Sequence, residues 1–503
     1  MKLVKNKGLF LLVLGQVFFL SCFRLNQDSP AGQTNFEVLP PNINLTRPLE
    51  VSQRPEDVQL AKEIEQMIEN SEFANARWGI FVVSLRDGRV LVAKEAQKLF
   101  NPASTQKILT SIVALDKLGA DFRWETRIFS KSRIENGILN GDLILYGQGA
   151  PDLSDEGIEN LANQLKAKGL TKIKGNIIGD ESYFKGDNIG DGWTWNEIQW
   201  YYGAEASALS VNLNYVNVGL QNGKPQASNA VMQVSGEIKP AQDLESVGVK
   251  RELGANQVYF YGEGKTLDVR IAVQNPALWA AKILKDTLQK KGVGVDGEAK
   301  SADWKSTEKF APEATTELAR VESKTLGEIV RKMNKDSVNL YAELILRTLG
   351  KRFGESAPDE NPKMQKVRGD DAAGASVIKK WLTENNIATE EIKIHDGSGL
   401  SRLDLVTPEV LGRALIFAAQ SKFADIFRNS LPVAGTDGTL RGRLGRASGK
   451  VVAKTGSIMY VNTLAGYAVN PRETLAFVIL CNNQTRRNDS LIVVDEIALK
   501  LTE

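Results

Sequence analysis

Strand-like runs at both ends of the chain constrain the fold more than any other feature. Trp78 to Leu85 is apolar and rich in β-branched residues, Arg86-Asp87-Gly88-Arg89 supplies a tight turn, and Val90 to Ala93 returns. Nearly four hundred residues later, Val451 to Ser457, Thr463 to Val469 and Leu475 to Cys481 read as three more strands, with Asn470-Pro471-Arg472-Glu473 turning between the last two. Helical patterns run from Glu56 through Ile68 and from Ser490 to Leu501. Strands at the two ends with helical patterns between them predict an α+β fold, an antiparallel sheet flanked by helices.

The middle of the chain differs. From about 121 to 305, short strand-like runs such as Gly141 to Tyr146, Lys172 to Gly179 and Val231 to Ile238 are separated by Gly, Asn and Asp. This reads as β-rich inserted material. A chain of 503 residues is long enough for two to four domains, and 42% hydrophobic with 25% charged residues is an ordinary globular composition. No repeat of a length typical of solenoids or propellers is present.

Charge and the rare residues exclude several chemistries. The net charge is +2 with no long basic run, so no nucleic-acid partner is expected. One histidine, His395, and two cysteines, Cys22 and Cys481, are too few for a zinc peptidase site. His395 is expected to be structural, and Cys481, in an apolar strand, a buried inert thiol. No metal and no organic cofactor is implied.

The N-terminus reads as an export signal: Lys2, Lys5 and Lys7 precede an apolar stretch from Gly8 to Phe23. A single membrane anchor is the competing reading, and Cys22 after Phe19-Leu20-Ser21 raises lipidation as another. Residues 24 to 56, with Pro40-Pro41 and no apolar period, read as a flexible spacer. The expected location is exported, periplasmic or cell-envelope, with N-terminal membrane association left open.

Three short motifs carry chemistry. Ser104-Thr105-Gln106-Lys107, Ser337-Val338-Asn339 and Lys454-Thr455-Gly456 occur in the order S-x-x-K, S-x-N, K-T-G of serine enzymes that react with β-lactams. S-x-x-K alone is weak, since it also occurs at Ser182, Ser306 and Ser376. Context separates Ser104 from the others. It follows Asn101-Pro102-Ala103 and precedes the apolar run Ile108 to Leu118, so Ser104 and Lys107 share one face at a helix N-terminus. A serine hydroxyl needs a base. With almost no histidine, a lysine kept neutral by burial and a neighbouring cation must serve. Lys107 is the expected base, Lys454 the cation, Ser337 the relay to the leaving group and Asn339 the holder of the substrate amide. Backbone N–H groups of Ser104 and Ser457 are the expected oxyanion donors. Gly264-Lys265-Thr266 ends like a phosphate loop, but position 259 is Tyr where that pattern needs Gly.

These motifs, with Asp396-Gly397-Ser398-Gly399-Leu400-Ser401-Arg402, Leu431 to Arg441, and Tyr202-Gly203-Ala204 followed by Ser207-Ala208-Leu209 and Asn212, resemble the class C low-molecular-mass penicillin-binding proteins. This is the D-alanyl-D-alanine carboxypeptidase/endopeptidase family, and the resemblance covers nearly everything after residue 57. It implies a penicillin-binding, serine β-lactamase-like domain with two β-rich domains inserted in the 230 positions between Lys107 and Ser337. The expected division is 1–27 signal or anchor, 28–56 linker, 57–120 with 306–503 the catalytic domain, 121–222 with 269–305 the first insertion, and 223–268 nested within it. The implied activity is cleavage of D-Ala-D-Ala and of D-Ala-diaminopimelate crosslinks in peptidoglycan peptides through an acyl-enzyme on Ser104, with β-lactams as inhibitors. Thr455, Gly456 and Ser457 would bind substrate. Glu197 and Arg402 would line a pocket for the free end of a diaminopimelate side chain. Two rival readings are a β-lactamase or esterase on the same scaffold and a catalytically idle wall-binding scaffold.

Overall fold

The computed structural model describes residues 42–239, 246–306, 310–354, 369–388, 391–485 and 490–503. The expected signal, Cys22 and the first part of the expected spacer lie outside them. No helix among the described residues is long and apolar enough to cross a membrane.

The two chain ends meet in one sheet. Five strands lie in the order Val451–Ile458, Val461–Val469, Thr474–Asn482, Arg77–Ser84, Val90–Lys94, every pair antiparallel. The first and last thirds of the sequence join directly, Trp78 pairing with Cys481 and Ile80 with Ile479. Successive strand residues face opposite sides. Ile80, Val82, Phe477 and Ile479 pack under the outer helices Pro55–Glu69 and Leu491–Lys500, against Ile64, Ile68, Val494 and Ile497. Phe81, Val83, Val478 and Leu480 face the inner helices Gln106–Leu118 and Pro408–Gln420, against Ile108, Ile112, Leu411 and Leu415. Both faces are covered, which is why these strands are apolar throughout rather than alternating. Each fully buried Ile, Val, Leu or Phe contributes about 1.5–3 kcal/mol of transfer free energy.

Helix Gln106–Leu118 is central: Gln106 through Leu115 are all buried. Helix Asn339–Phe353 lies against it, with Leu340 through Gly350 buried. The preceding helix, Leu326–Asp336, opens with a capping box between Thr325 and Glu328 and ends at Ser337 in the left-handed region, φ 57°.

The inserted chain builds four further sheets. A five-stranded one runs Ala299–Ala302, Ile177–Asp180, Leu143–Gly147, Glu125–Ser130, Thr316–Glu322 and is packed by helices Asp155–Ala167 and Pro276–Lys290. A small four-stranded sheet joins Gly294–Val295, Lys172–Ile173, Ile138–Leu139 and Ile134–Glu135. Two three-stranded sheets order as Lys224–Ala227, Tyr215–Gln221, Leu267–Ala272 and as Gln233–Gly236, Gln257–Glu263, Ser246–Arg251.

Strand pairing moves three expected boundaries. Thr316–Glu322 pairs with Glu125–Ser130, so the chain returns to the first sheet's layer near Thr325 rather than at 306. Tyr215–Gln221 and Leu267–Ala272 pair in one sheet with Lys224–Ala227, so a nested unit of 223–268 would cut through that sheet. Residues 42–54, part of the expected spacer, lie on the first domain. Leu45 is buried, Ile43 N–H donates to Gln420, Ser52 N–H donates to Val90 C=O and Arg413 donates to Leu45 C=O. Polar composition hid a few apolar anchors in this stretch. The expected strand from Lys172 to Gly179 is two strands, because Gly175 packs against the backbone of Gly141 between them.

Candidate active site

Ser104 sits in a short 3-10 turn, Ala103–Thr105, which feeds directly into helix Gln106–Leu118. Ala103 before it has φ 45°, a conformation that L side chains adopt at a cost. The turn is held from several sides. Asn101 Oδ1 accepts from Ala103 N–H, and Thr463 Oγ1 donates to Pro102 C=O. Gly456 has no Cβ because there is no room for one: it would lie 2.1 Å from Thr463 Oγ1 and 2.8 Å from Ser104 N. The K-T-G strand therefore lies flush against the serine turn.

Lys107 is fully buried, and its Nζ meets three groups: Ser104 Oγ at 2.9 Å, Asn339 Oδ1 at 2.7 Å and the Ser398 carbonyl at 2.7 Å. Two of these only accept hydrogen bonds; the third is a hydroxyl that can donate. A neutral amine fits this set, with its two hydrogens on the oxygens of Asn339 and Ser398 and its lone pair facing Ser104. Burial lowers the Lys107 pKa to about 7, against the opposing pull of Asp396, Glu343 and Asp404.

Asn339 is fixed by its other end, Nδ2 donating to Tyr202 C=O at 2.9 Å. Lys454, also fully buried, lies with Nζ 2.9 Å from Ser337 Oγ and donates to Thr455 C=O at 2.8 Å. Its basicity is held well down, first by burial and then by the charge of Lys107. Lys454 was expected to act as the cation that lowers Lys107. On Lys107 burial is the main cause, and the repulsion between the two lysines bears on Lys454. Thr455 Oγ1 meets Thr439 Oγ1 at 2.7 Å, joining the 431–441 segment to the K-T-G strand. Ser457 is exposed just beyond it, its hydroxyl donating to Asn462 Oδ1 at 3.0 Å.

Glu197 and Arg402 come from distant segments and pair at 3.3 Å beside the Lys454 strand end, where Arg402 also donates to Met459 C=O at 2.9 Å. Thr194 Oγ1 donates to Glu197 at 2.6 Å. Six of the ten expected site residues fall in two hydrogen-bonded groups, Ser104 with Lys107 and Asn339, and Ser337 with Lys454 and Thr455; Gly456 abuts the serine turn, Ser457 follows it along the strand, and Glu197 with Arg402 forms an ion pair near that strand's end. The competing S-x-x-K at Ser376 is exposed on a helix and donates to its own turn, to Ala372 C=O. His395 binds Asp191 through Nδ1 at 2.9 Å, and Cys481 is a buried free thiol raised to about 11 by burial.

Sequence reasoning missed the acids behind Lys107. Asp396 accepts from Ser398 and Gly399 N–H, Ser398 Oγ, Ser401 N–H and Trp193 Nε1. Glu343 accepts from Gly397 and Ser398 N–H, and Asp404 from His395 N–H. The one available signal was the spacing of Glu343, one helical turn after Asn339.

With this geometry in view, the relationships to known proteins are specific. A model of the D-Ala-D-Ala carboxypeptidase 3 (S13) family matches residues 60–502. The chain belongs to that family. It is a low-molecular-mass penicillin-binding protein and a hydrolase, as the motifs implied. It is 28% identical to a D-alanyl-D-alanine carboxypeptidase of Actinomadura sp. over 482 residues, covering 88% of this chain and 85% of the relative. It is 28% identical to D-alanyl-D-alanine carboxypeptidase DacB of Haemophilus influenzae over 424 residues, covering 80% and 85%. The crystal structure of penicillin binding protein 4 from Haemophilus influenzae superposes with TM-score 0.74 at 27% identity, covering 87% of this chain and 98% of that one. A second structure of that protein, complexed with a β-lactam, gives TM-score 0.70 at 25% identity. The penicillin-binding α+β fold expected from the sequence is the fold observed.

Proposed function

We propose that this S13-family chain is a serine D-Ala-D-Ala carboxypeptidase that also cleaves D-Ala-diaminopimelate crosslinks in peptidoglycan peptides, and that β-lactams inhibit it. The observation that carries the reading is the set of groups around Lys107 Nζ: two acceptors for its hydrogens and the Ser104 hydroxyl for its lone pair. The relatives' names support the substrate class.

Ser104 Oγ attacks the carbonyl carbon of the penultimate D-alanine while Lys107 takes the hydroxyl proton. N–H groups of Ser104 and Ser457 stabilise the oxyanion. The C–N bond breaks, the leaving amine takes a proton through Ser337 from the lysine pair, and D-alanine departs from a Ser104 acyl ester. Water then attacks the ester carbonyl, regenerating the Ser104 hydroxyl and releasing the shortened peptide as its carboxylate. In the endopeptidase reaction the leaving amine is the side-chain amine of a neighbouring peptide's diaminopimelate. Glu197 with Arg402 would hold the free end of another, unlinked diaminopimelate side chain, the one on the peptide that acylates Ser104, with its carboxylate on Arg402 and its ammonium on Glu197. In a β-lactam the cleaved amide is in the ring, so its amine stays tethered. Export to the periplasm or cell envelope fits such a substrate.

The test is D-alanine release from a pentapeptide ending in D-Ala-D-Ala. Wild type should release it and Ser104→Ala should not. Release by the Ser104→Ala variant at the wild-type rate would refute the assignment.

A further inference from the structure

Glu343 is the unusual group in this site. It lies at 0% exposure in a helix whose buried residues are mostly apolar, and no part of the proposed reaction uses it. Its Oε1 accepts from Gly397 N–H at 2.9 Å and from Ser398 N–H at 3.0 Å. Its Oε2 is buried and meets no donor among the described residues. The turn it grips is the one that presents the Ser398 carbonyl to Lys107 Nζ and the Gly397 carbonyl to Thr110 Oγ1.

The charged neighbours determine which form of Glu343 fits. Asp396, on the same turn, takes five donors and is the natural home of a buried negative charge. The Asp404 carboxyl is pushed well above the usual carboxylate range by burial and then by Asp396, which makes it a poor site for a second charge. Arg347, one turn further along the helix of Glu343, donates its Nη2 to Asp187 C=O at 2.9 Å. Asp370, from the adjacent helix Asp370–Glu384, also feels Arg347. Lys107, from helix Gln106–Leu118, is the remaining partner and would be stabilised in its ammonium form by a charge on Glu343. A second carboxylate with one undonated oxygen would be expensive here.

We propose that Glu343 works as an uncharged positioning residue: its protonated carboxyl anchors the 396–399 turn that aims Ser398 C=O at Lys107, and by withholding a negative charge it leaves Lys107 able to act as a base. Its raised pKa, to about 8 by burial and by Asp396, agrees with this. The inference rests on the Lys107 reading for its catalytic meaning. The protonation of Glu343 can be observed whether or not the chain hydrolyses anything.

The experiment compares wild type with Glu343→Gln and Glu343→Ala by infrared difference spectroscopy and by the pH dependence of acylation by benzylpenicillin. Wild type at neutral pH should show a protonated-carboxyl stretch that is missing from Glu343→Gln and titrates away near the expected value of about 8. Gln keeps an acceptor for the two N–H groups and adds no charge. The acid limb of its acylation profile should therefore shift by less than about half a pH unit. Glu343→Ala removes the anchor and should slow acylation roughly tenfold or more. Three results would overturn the inference: no carboxyl band lost on Glu343→Gln, an acid limb about one unit lower in that variant, or an Ala variant that folds and acylates at the wild-type rate. A carboxyl band that behaves as expected in an enzyme that never acylates would confirm the neutral Glu343 and sink the Lys107 reading instead.

Discussion

Lys454 Nζ lies 2.9 Å from Ser337 Oγ, and Ser337 holds that position in a left-handed conformation, φ 57°, between two helices. Glycine or asparagine fits this backbone more easily. Serine there pairs a local conformational cost with a hydroxyl facing the second lysine. Ser337→Gly should therefore leave the melting temperature unchanged or raised, while peptide hydrolysis falls about 10²-fold or more. Thermal unfolding and D-alanine release check the two halves. A variant that loses stability and activity together would mean the residue is structural.

Lys107 gives a signed pH prediction. Its pKa, lowered to about 7, means that the neutral amine accumulates above that value, so acylation should rise through neutral pH and fall about tenfold per unit below it. The same burial costs stability. The folded-state pKa lies below the unfolded value, so the contribution of Lys107 is most favourable above its unfolded pKa and worsens as pH falls toward 7. Lys107→Met should abolish acylation and, at neutral pH, stabilise the fold by an amount on the order of a few kcal/mol. Denaturant midpoints for the two proteins measure the second effect, and a less stable Met variant would contradict it.

The 3.3 Å Glu197–Arg402 pair predicts substrate selectivity. Glu197→Ala should weaken use of diaminopimelate peptides by roughly 10- to 100-fold, the size of a lost charge-assisted hydrogen bond. It should have much less effect on a simple D-Ala-D-Ala ester. Steady-state kinetics on both substrates decide it, and equal loss on the two would remove the pair from recognition.

Gly456→Ala tests the close fit of the K-T-G strand on the serine turn. The added methyl carbon would fall 2.1 Å from Thr463 Oγ1 and 2.8 Å from Ser104 N. The strand or the turn must move, at a cost of about 1–3 kcal/mol of stability. Acylation should drop even where the protein remains folded, as intact mass and circular dichroism would show.

How much of this was legible in the sequence follows from the physics of each element. The terminal sheet was, because strands covered on both faces are apolar without interruption, as in Leu475 to Cys481. The motifs holding Ser104 with Lys107, Ser337 with Asn339, and Lys454 with Thr455 and Gly456 stood out because the spacing within each is local; their convergence from three separate elements is visible only in the fold. Thr316–Glu322 was not assigned to the inserted sheet, since pairing with Glu125–Ser130 is non-local and leaves no mark on either segment. Nor were the anchors of residues 42–54 visible, since Leu45 is one apolar side chain in a polar stretch. Glu343 was hidden for a related reason: a glutamate on a helix ordinarily faces water, and only the fold buries it against the 396–399 turn.

The central claim is that Ser104 is the nucleophile and Lys107 its base. Intact mass of purified 42–503 after mixing with benzylpenicillin, beside a Ser104→Ala control, tests it most directly. The account predicts a long-lived adduct that maps to Ser104 and is missing from the control. No adduct and no breakdown of the penicillin would contradict it.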